Sequence, residues 1–301
     1  MASLKELRNR ISSIQSTRKI TRAMRMVAAS KLRTSQEAAQ AARPYAQRMR
    51  QLLAKLTAHI DEGGGLGEMP LFSGTGKEEK HLFIIATADR GLCGGFNTSI
   101  VRLARERIQR VEGAGGKVQL ICVGRKGFDI LKREFGNRIV ENWSLASTRH
   151  VEYRQVQQIS ARVEEMFEAG EIDVCELFYA HFDSVLSQKP TVRRLIPMRL
   201  SPETDEEDAE NASESSGASA EFEPWEEELL AALLPKALRS QVFQALLENA
   251  ASEQGARMSA MDNATRNAGE IVDRLTIVYN RTRQAAITKE LIEIISGSEA
   301  L

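Results

Sequence analysis

Between Pro235 and Gly297 the chain runs for some sixty residues with no proline inside the stretch. A continuous helix of that length spans roughly 90 Å at about 1.5 Å per residue. No compact domain of this size can bury such a rod, so much of it must project. Its opening (Leu238, Val242, Phe243, Leu246, Leu247) and its close (Leu291, Ile292, Ile294, Ile295) are apolar, whereas Ala250–Gly269 is mostly Ala, Ser, Asn, Met and charge. A rod slim in the middle and apolar at its tip implies partners that it lies against.

The first sixty residues mirror the last. Leu4, Leu7, Ile11 and Ile14 follow 3–4–3 spacing, and Leu32, Met49, Leu53, Leu56 and Ile60 continue a register that passes through Ala28, Ala39, Ala42 and Ala46. Between them the register meets Arg18, Thr21 and Arg25, and the apolar residues shift to Ile20, Met24 and Val27. Pro44 is expected to kink or loosen this helix, and Gly63, Gly64, Gly65 and Gly67 to end it. If both rods (residues 1–62 and 225–297) stand on the domain between them, they run antiparallel and can wind as a coiled coil. Small residues in both seams (Ala28, Ala39, Ala42; Ala250, Ala256, Ala260, Ala264) permit close approach. Taken alone, the same pattern also fits a plain spacer.

Residues 80–200 alternate strand and helix patterns. Strands are expected at His81–Thr87, Lys117–Val123, Arg138–Trp143, Asp173–Ala180 and Thr191–Met198. Helices are expected at Thr98–Val111, Lys126–Phe135 and Glu152–Ala169. That order gives an α/β domain with a doubly wound, mostly parallel, Rossmann-like sheet, inserted between the two long helices. The last strand follows its neighbour without a helix and should pair antiparallel.

Lys/Arg and Asp/Glu balance at 41 each, but the balance hides a segregation. Residues 1–50 hold twelve basic residues against Glu6 and Glu37, and residues 203–228 hold twelve acidic residues and no basic one. Residues 201–222 are acidic and small-polar and read as a disordered insertion, either a solvated loop or an electrostatic partner for the basic first helix. Three distant cysteines, Cys93, Cys122 and Cys175, fit buried thiols in a reducing compartment better than a disulfide framework. No apolar run is long enough to span a membrane. The basic, Ser-containing N-terminus has the composition of an organellar presequence, but its helical pattern runs on too long for a removable peptide.

The loop Asp89-Arg-Gly-Leu-Cys-Gly-Gly-Phe-Asn97 sits where a doubly wound fold places a phosphate-binding turn. Its glycines, Gly91, Gly94 and Gly95, do not make G-x-G-x-x-G, and no Lys-Ser/Thr pair follows. The glycines are expected to serve tight backbone geometry, with Asn97 or Thr98 capping the next helix. His59, His81, His150 and His181 stand apart, without metal-ligand spacing. No catalytic centre, metal site or cofactor site is supported. The basic face at Arg18, Arg22 and Arg25, with Lys19, Lys31 and Arg33, fits a solvated helix, acidic protein loops or nucleic acid. Tyr45 is its one aromatic residue, too few for a stacking platform.

Three blocks carry a resemblance. The run K-I-T-x-A-M-x-M-V-A-A-S-K-L-R (Lys19–Arg33), the loop DRGLCGGFN (Asp89–Asn97), and ENAASEQGARMSAMDNATRNA (Glu248–Ala268) with YNRTRQAAITKELIEI (Tyr279–Ile294) resemble, in this order, the gamma-subunit family of F-type ATP synthases. The resemblance implies a non-catalytic rotor shaft without a cofactor. Its coiled coil would enter a hexamer of alpha and beta subunits, and its globular part would sit on the ring of c subunits beside the epsilon subunit. Proton flow would turn the shaft and drive the hexamer's catalytic sites through different affinities. Matching the family's blocks residue by residue points to Arg283, Gln284 and Thr288 as contacts with catalytic-subunit loops. Arg22, Arg25 and Lys31, near Met24, would face acidic beta-subunit loops, and Asp89, Arg90, Gly91, Gly94 and Gly95 form the signature loop of the globular part. The implied location is peripheral, at the cytoplasmic face of a bacterial plasma membrane, a setting that the Met-Ala-Ser start favours. The residues alone also fit a nucleotide-binding α/β protein with helical arms. The acidic stretch before Phe222 is longer and more polar than the family core and does not resemble the paired-cysteine insert of chloroplast members.

Overall fold

Strand β1 (Lys80–Ala86) is buried at every position after its first, which marks an interior strand covered on both faces. In this computed structural model, which describes residues 3–63, 69–145, 151–198 and 226–299, β1 lies at the middle of a five-stranded sheet of order β3-β2-β1-β4-β5. Its companions are β2 (Lys117–Val123), β3 (Ile139–Trp143), β4 (Val174–Phe182) and β5 (Gln188–Ile196). The β1–β2, β1–β4 and β2–β3 pairs are parallel, and β4–β5 is antiparallel, as the missing crossover helix requires. Ile84 stands opposite Ile121 on one side and Leu177 on the other.

The helices are α1 (Leu4–Gly63), α2 (Pro70–Ser73), α3 (Phe96–Gly113), α4 (Arg125–Phe135), α5 (Tyr153–Glu168) and α6 (Glu226–Glu299). The sheet separates two apolar layers. Leu82, Ile84, Ile121, Cys175 and Leu177 face α5 together with Leu53 and Leu56 of α1 and Leu230, Leu234, Leu238 and Val242 of α6. Phe83, Ile85, Leu120, Cys122 and Phe178 pack on α3 and α4 through Ile100, Ala104, Ile108 and Leu131. A three-layer α/β domain follows from this alternation of strand faces.

The second rod starts at Glu226, close to the expected 225, and both long helices run on through an internal proline, Pro44 in α1 and Pro235 in α6. A proline loses one backbone hydrogen bond. Here the flanking residues Ala46, Met49, Leu234, Ala237 and Leu238 are all buried, so tertiary packing holds the helices through the defect. Gly63 is the last described residue of α1, and Gly64, Gly65 and Gly67 and the acidic stretch 201–222 lie outside the described residues.

The chain forms two compact units, Lys31–Ala256 and Met1–Ser30 with Arg257–Leu301, so the division cuts both long helices instead of falling at their ends. The reason is the apolar layer just described, which ties the second half of α1 and the first half of α6 to the sheet. Within the other unit, Arg8 meets Tyr279, Arg18 lies against Gly269, Thr21 bonds Thr265 and Arg25 pairs with Asp262. Numbers rise along one helix as they fall along the other, which is an antiparallel register.

Candidate functional site

The signature loop leaves the carboxyl end of β1. Thr87 donates its N–H to the Val123 carbonyl at 2.7 Å, and its hydroxyl accepts from the Gly127 N–H at 2.8 Å. Gly124, at φ 103°, lets the two strand ends close: a Cβ there would lie 2.1 Å from the Thr87 carbonyl oxygen. Asp89 then joins three strand ends. One carboxylate oxygen accepts from the Arg125 N–H at 3.0 Å and the Ser144 hydroxyl at 2.9 Å, and the other accepts from the Leu145 N–H at 3.0 Å. The N-terminus of α4 thus holds the chain's own anion. This is an internal clamp.

Of the loop glycines, Gly94 takes a positive φ (59°), whereas Gly91 and Gly95 do not. Leu92 does so too, at 66°, with its side chain 61 % exposed. Asn97 and Thr98 do not cap α3, which starts at Phe96 after Gly95. Asn97 instead accepts from the Ala88 N–H at 2.9 Å and donates to the Cys93 sulfur at 3.2 Å, bracing the loop from inside the first turn. Arg90 projects outward.

The cysteines are all free and buried. Burial pushes the Cys122 thiol up to about 12, and burial with the neighbouring Glu176 charge pushes Cys175 up as well, so neither supplies a thiolate near neutral pH. Among the described residues, no three His, Cys, Asp or Glu side chains gather as metal ligands.

On the rods, Arg22 and Lys31 are exposed and Met24 is half-buried. Arg25 is engaged within the coil, 2.6 Å from Asp262, and the hydroxyls of Thr21 and Thr265 lie 2.8 Å apart. This polar seam replaces the apolar register where Arg18, Thr21 and Arg25 interrupt it, and the partner residues on α6 were not legible from α1 alone. Arg283, Gln284 and Thr288 are exposed, the Thr288 hydroxyl donating to the Gln284 carbonyl at 2.9 Å. Beyond them Leu291, Ile292, Ile294 and Ile295 stand 53–67 % exposed.

Sequence reasoning missed one further cluster. His181, isolated in the sequence, lies at the end of β4 with its Nδ1 2.9 Å from a carboxylate oxygen of buried Glu248, whose other oxygen accepts from Gln244 at 3.0 Å. Burial works to raise the Glu248 carboxyl, but the His181 hydrogen bond, the Arg193 and His181 charges and the Gln244 bond together hold it below its ordinary 4.5. A depressed carboxyl contributes stability that is complete above about pH 4.5 and drains away as pH falls through the folded-state value. Glu248→Gln is therefore expected to flatten the dependence of melting temperature on pH between about 5 and 3; an unchanged slope would remove Glu248 from the acid response.

A family model described as ATP synthase matches residues 3–301. The chain is 55 % identical over 302 residues to the ATP synthase gamma chain of Parvibaculum lavamentivorans and 54 % identical over 302 residues to that of Methylobacterium nodulans, with all of each chain covered. Among solved structures, the central stalk and c-ring of the Tetrahymena thermophila mitochondrial ATP synthase holds a chain 27 % identical, with a TM-score of 0.58, covering 81 % of this chain and 99 % of that one. A rotor chain of the Euglena gracilis mitochondrial ATP synthase shares the fold at a TM-score of 0.66 and 19 % identity, covering 94 % of this chain and 98 % of that one.

Proposed function

Because the chain belongs to the ATP synthase gamma-chain family, we propose that it is the central rotor shaft of an F-type ATP synthase. The match along residues 3–301 carries this reading, since it takes in both long helices and the sheet between them. The chain itself makes and breaks no bonds. It couples proton flow through the c-ring to the nucleotide sites of an alpha–beta hexamer by turning inside it, with the epsilon subunit alongside. Among the described residues no helix is long and apolar enough to cross a membrane. The shaft reaches the bilayer through the ring, as a peripheral component at the cytoplasmic face of a bacterial plasma membrane.

Within this reading Arg283, Gln284 and Thr288 meet the catalytic-subunit loops, and the exposed Leu291, Ile292, Ile294 and Ile295 run in the hexamer's bearing. Arg22, Met24 and Lys31 face acidic beta-subunit loops. Arg25 contributes by fixing the coil through Asp262. Rim charges of this type tune orientation and rate more than affinity. A tagged chain expressed with its operon partners is expected to bring down alpha, beta and epsilon subunits. Recovery of the chain alone from membranes that contain those subunits would contradict the assignment.

A further inference from the structure

The block that opens Glu248-Asn249 has no role in the rotor contacts above, although its residues are the most deeply buried polar group on α6. Ser240, Gln244, Glu248, Asn249 and Ser252 are all buried. Upstream, α6 meets the sheet through Leu230, Leu234, Leu238, Val242 and Leu246, an apolar contact without direction, and its directed bond there, from Arg239 to Glu164 at 2.9 Å, goes to α5. The apolar bed resists separation but offers little against a helix rolling or sliding on the sheet itself.

At Glu248 and Asn249 the contact changes character. Pairing of β4 with β1 ends at Phe178 opposite Ile85, and two residues further on the Ala180 N–H donates to the Asn249 side-chain oxygen at 3.0 Å. The next residue, His181, bonds Glu248 at 2.9 Å. Arg193 of β5 adds its charge to Glu248 from the antiparallel neighbour while stacking 5.2 Å over the Tyr179 ring. Nearly two turns along, Gly255 of α6 lies 3.5 Å, measured from a Cβ built on it, from Phe182 and Gln188 at the β4–β5 turn. Adjacent residues of the helix thus engage adjacent residues of one strand, one through main chain and one through side chain. Either rotation or translation of α6 breaks both bonds and strands buried polar groups, which is far costlier than shearing an apolar contact.

We propose that Glu248 and Asn249 key α6 to the end of β4, so that sheet and helix turn as one body when torque passes between them. The proposal rests on the rotor reading. The two residues are positioning residues.

The test uses the complete, membrane-bound complex. Asn249→Leu and Glu248→Leu are expected to leave ATP hydrolysis running while protons translocated per ATP fall by about twofold or more, since each leaves a buried partner unpaired. Glu248→Gln, which still accepts from His181, keeps the unaltered ratio. Hydrogen exchange of the isolated full chain gives a readout that needs no assembly. The Ala180 amide exchanges about tenfold faster or more in Asn249→Leu, with the sheet amides of β1 unchanged. Normal coupling in both leucine variants overturns the key, and so does an Ala180 amide no less protected in Asn249→Leu. Failure of the rotor reading looks different, because the unaltered chain would then not couple hydrolysis to protons at all.

Discussion

Gly124→Ala is expected to destabilise the sheet-bearing unit by about 4 kcal/mol, lowering its melting temperature by about 10 °C. Two penalties combine there. A φ of 103° lies outside the range L side chains adopt readily, and the added Cβ would meet the Thr87 carbonyl oxygen at 2.1 Å. The Thr87 backbone cannot retreat, because its N–H is bonded to Val123 at 2.7 Å and its hydroxyl to Gly127 at 2.8 Å. Gly136→Ala is the control. Its backbone is helical at φ −56° and nothing lies within 4 Å of a Cβ, so stability should hold or rise slightly. Thermal unfolding of both variants checks the contrast; equal melting temperatures would mean that the strand ends are not locked as described.

Arg283→Ala combined with Gln284→Ala is expected to lower ATP turnover of the assembled complex about threefold to tenfold, the loss of roughly 1 kcal/mol of contact with the stationary subunits. Both side chains are exposed, so the isolated chain should unfold at its normal temperature. Steady-state turnover of the purified complex, alongside subunit stoichiometry, separates a coupling defect from failed assembly. Unchanged turnover in a fully assembled double variant would take the pair out of the mechanism.

Much of the architecture was legible because its periodicities are local. Lys117–Val123 is a strand at the expected bounds, and the antiparallel β4–β5 pair followed from the missing helix. The start of α6 at Glu226 also lies within one residue of the expected bound, and the burial of Leu230 and Leu234 accounts for its passage through Pro235. Asn97 shows where local reading stops: its type and place suit a cap, but its partners, Ala88 and Cys93, depend on how the loop folds back. Pairings distant in sequence left no trace at all. Arg25 with Asp262 and His181 with Glu248 required the antiparallel register and the strand order first. The coupling residues themselves came from family resemblance, since an exposed arginine on a helix looks like any solvated one.

Rotation is the central claim, and a probe fixed to this chain in a surface-anchored alpha–beta hexamer measures it directly. On addition of ATP the probe is expected to turn continuously in one direction, in steps that follow the hexamer's threefold repeat, and to stop when ATP is removed. A hexamer that hydrolyses ATP at full rate while the bound chain stays still would contradict the account.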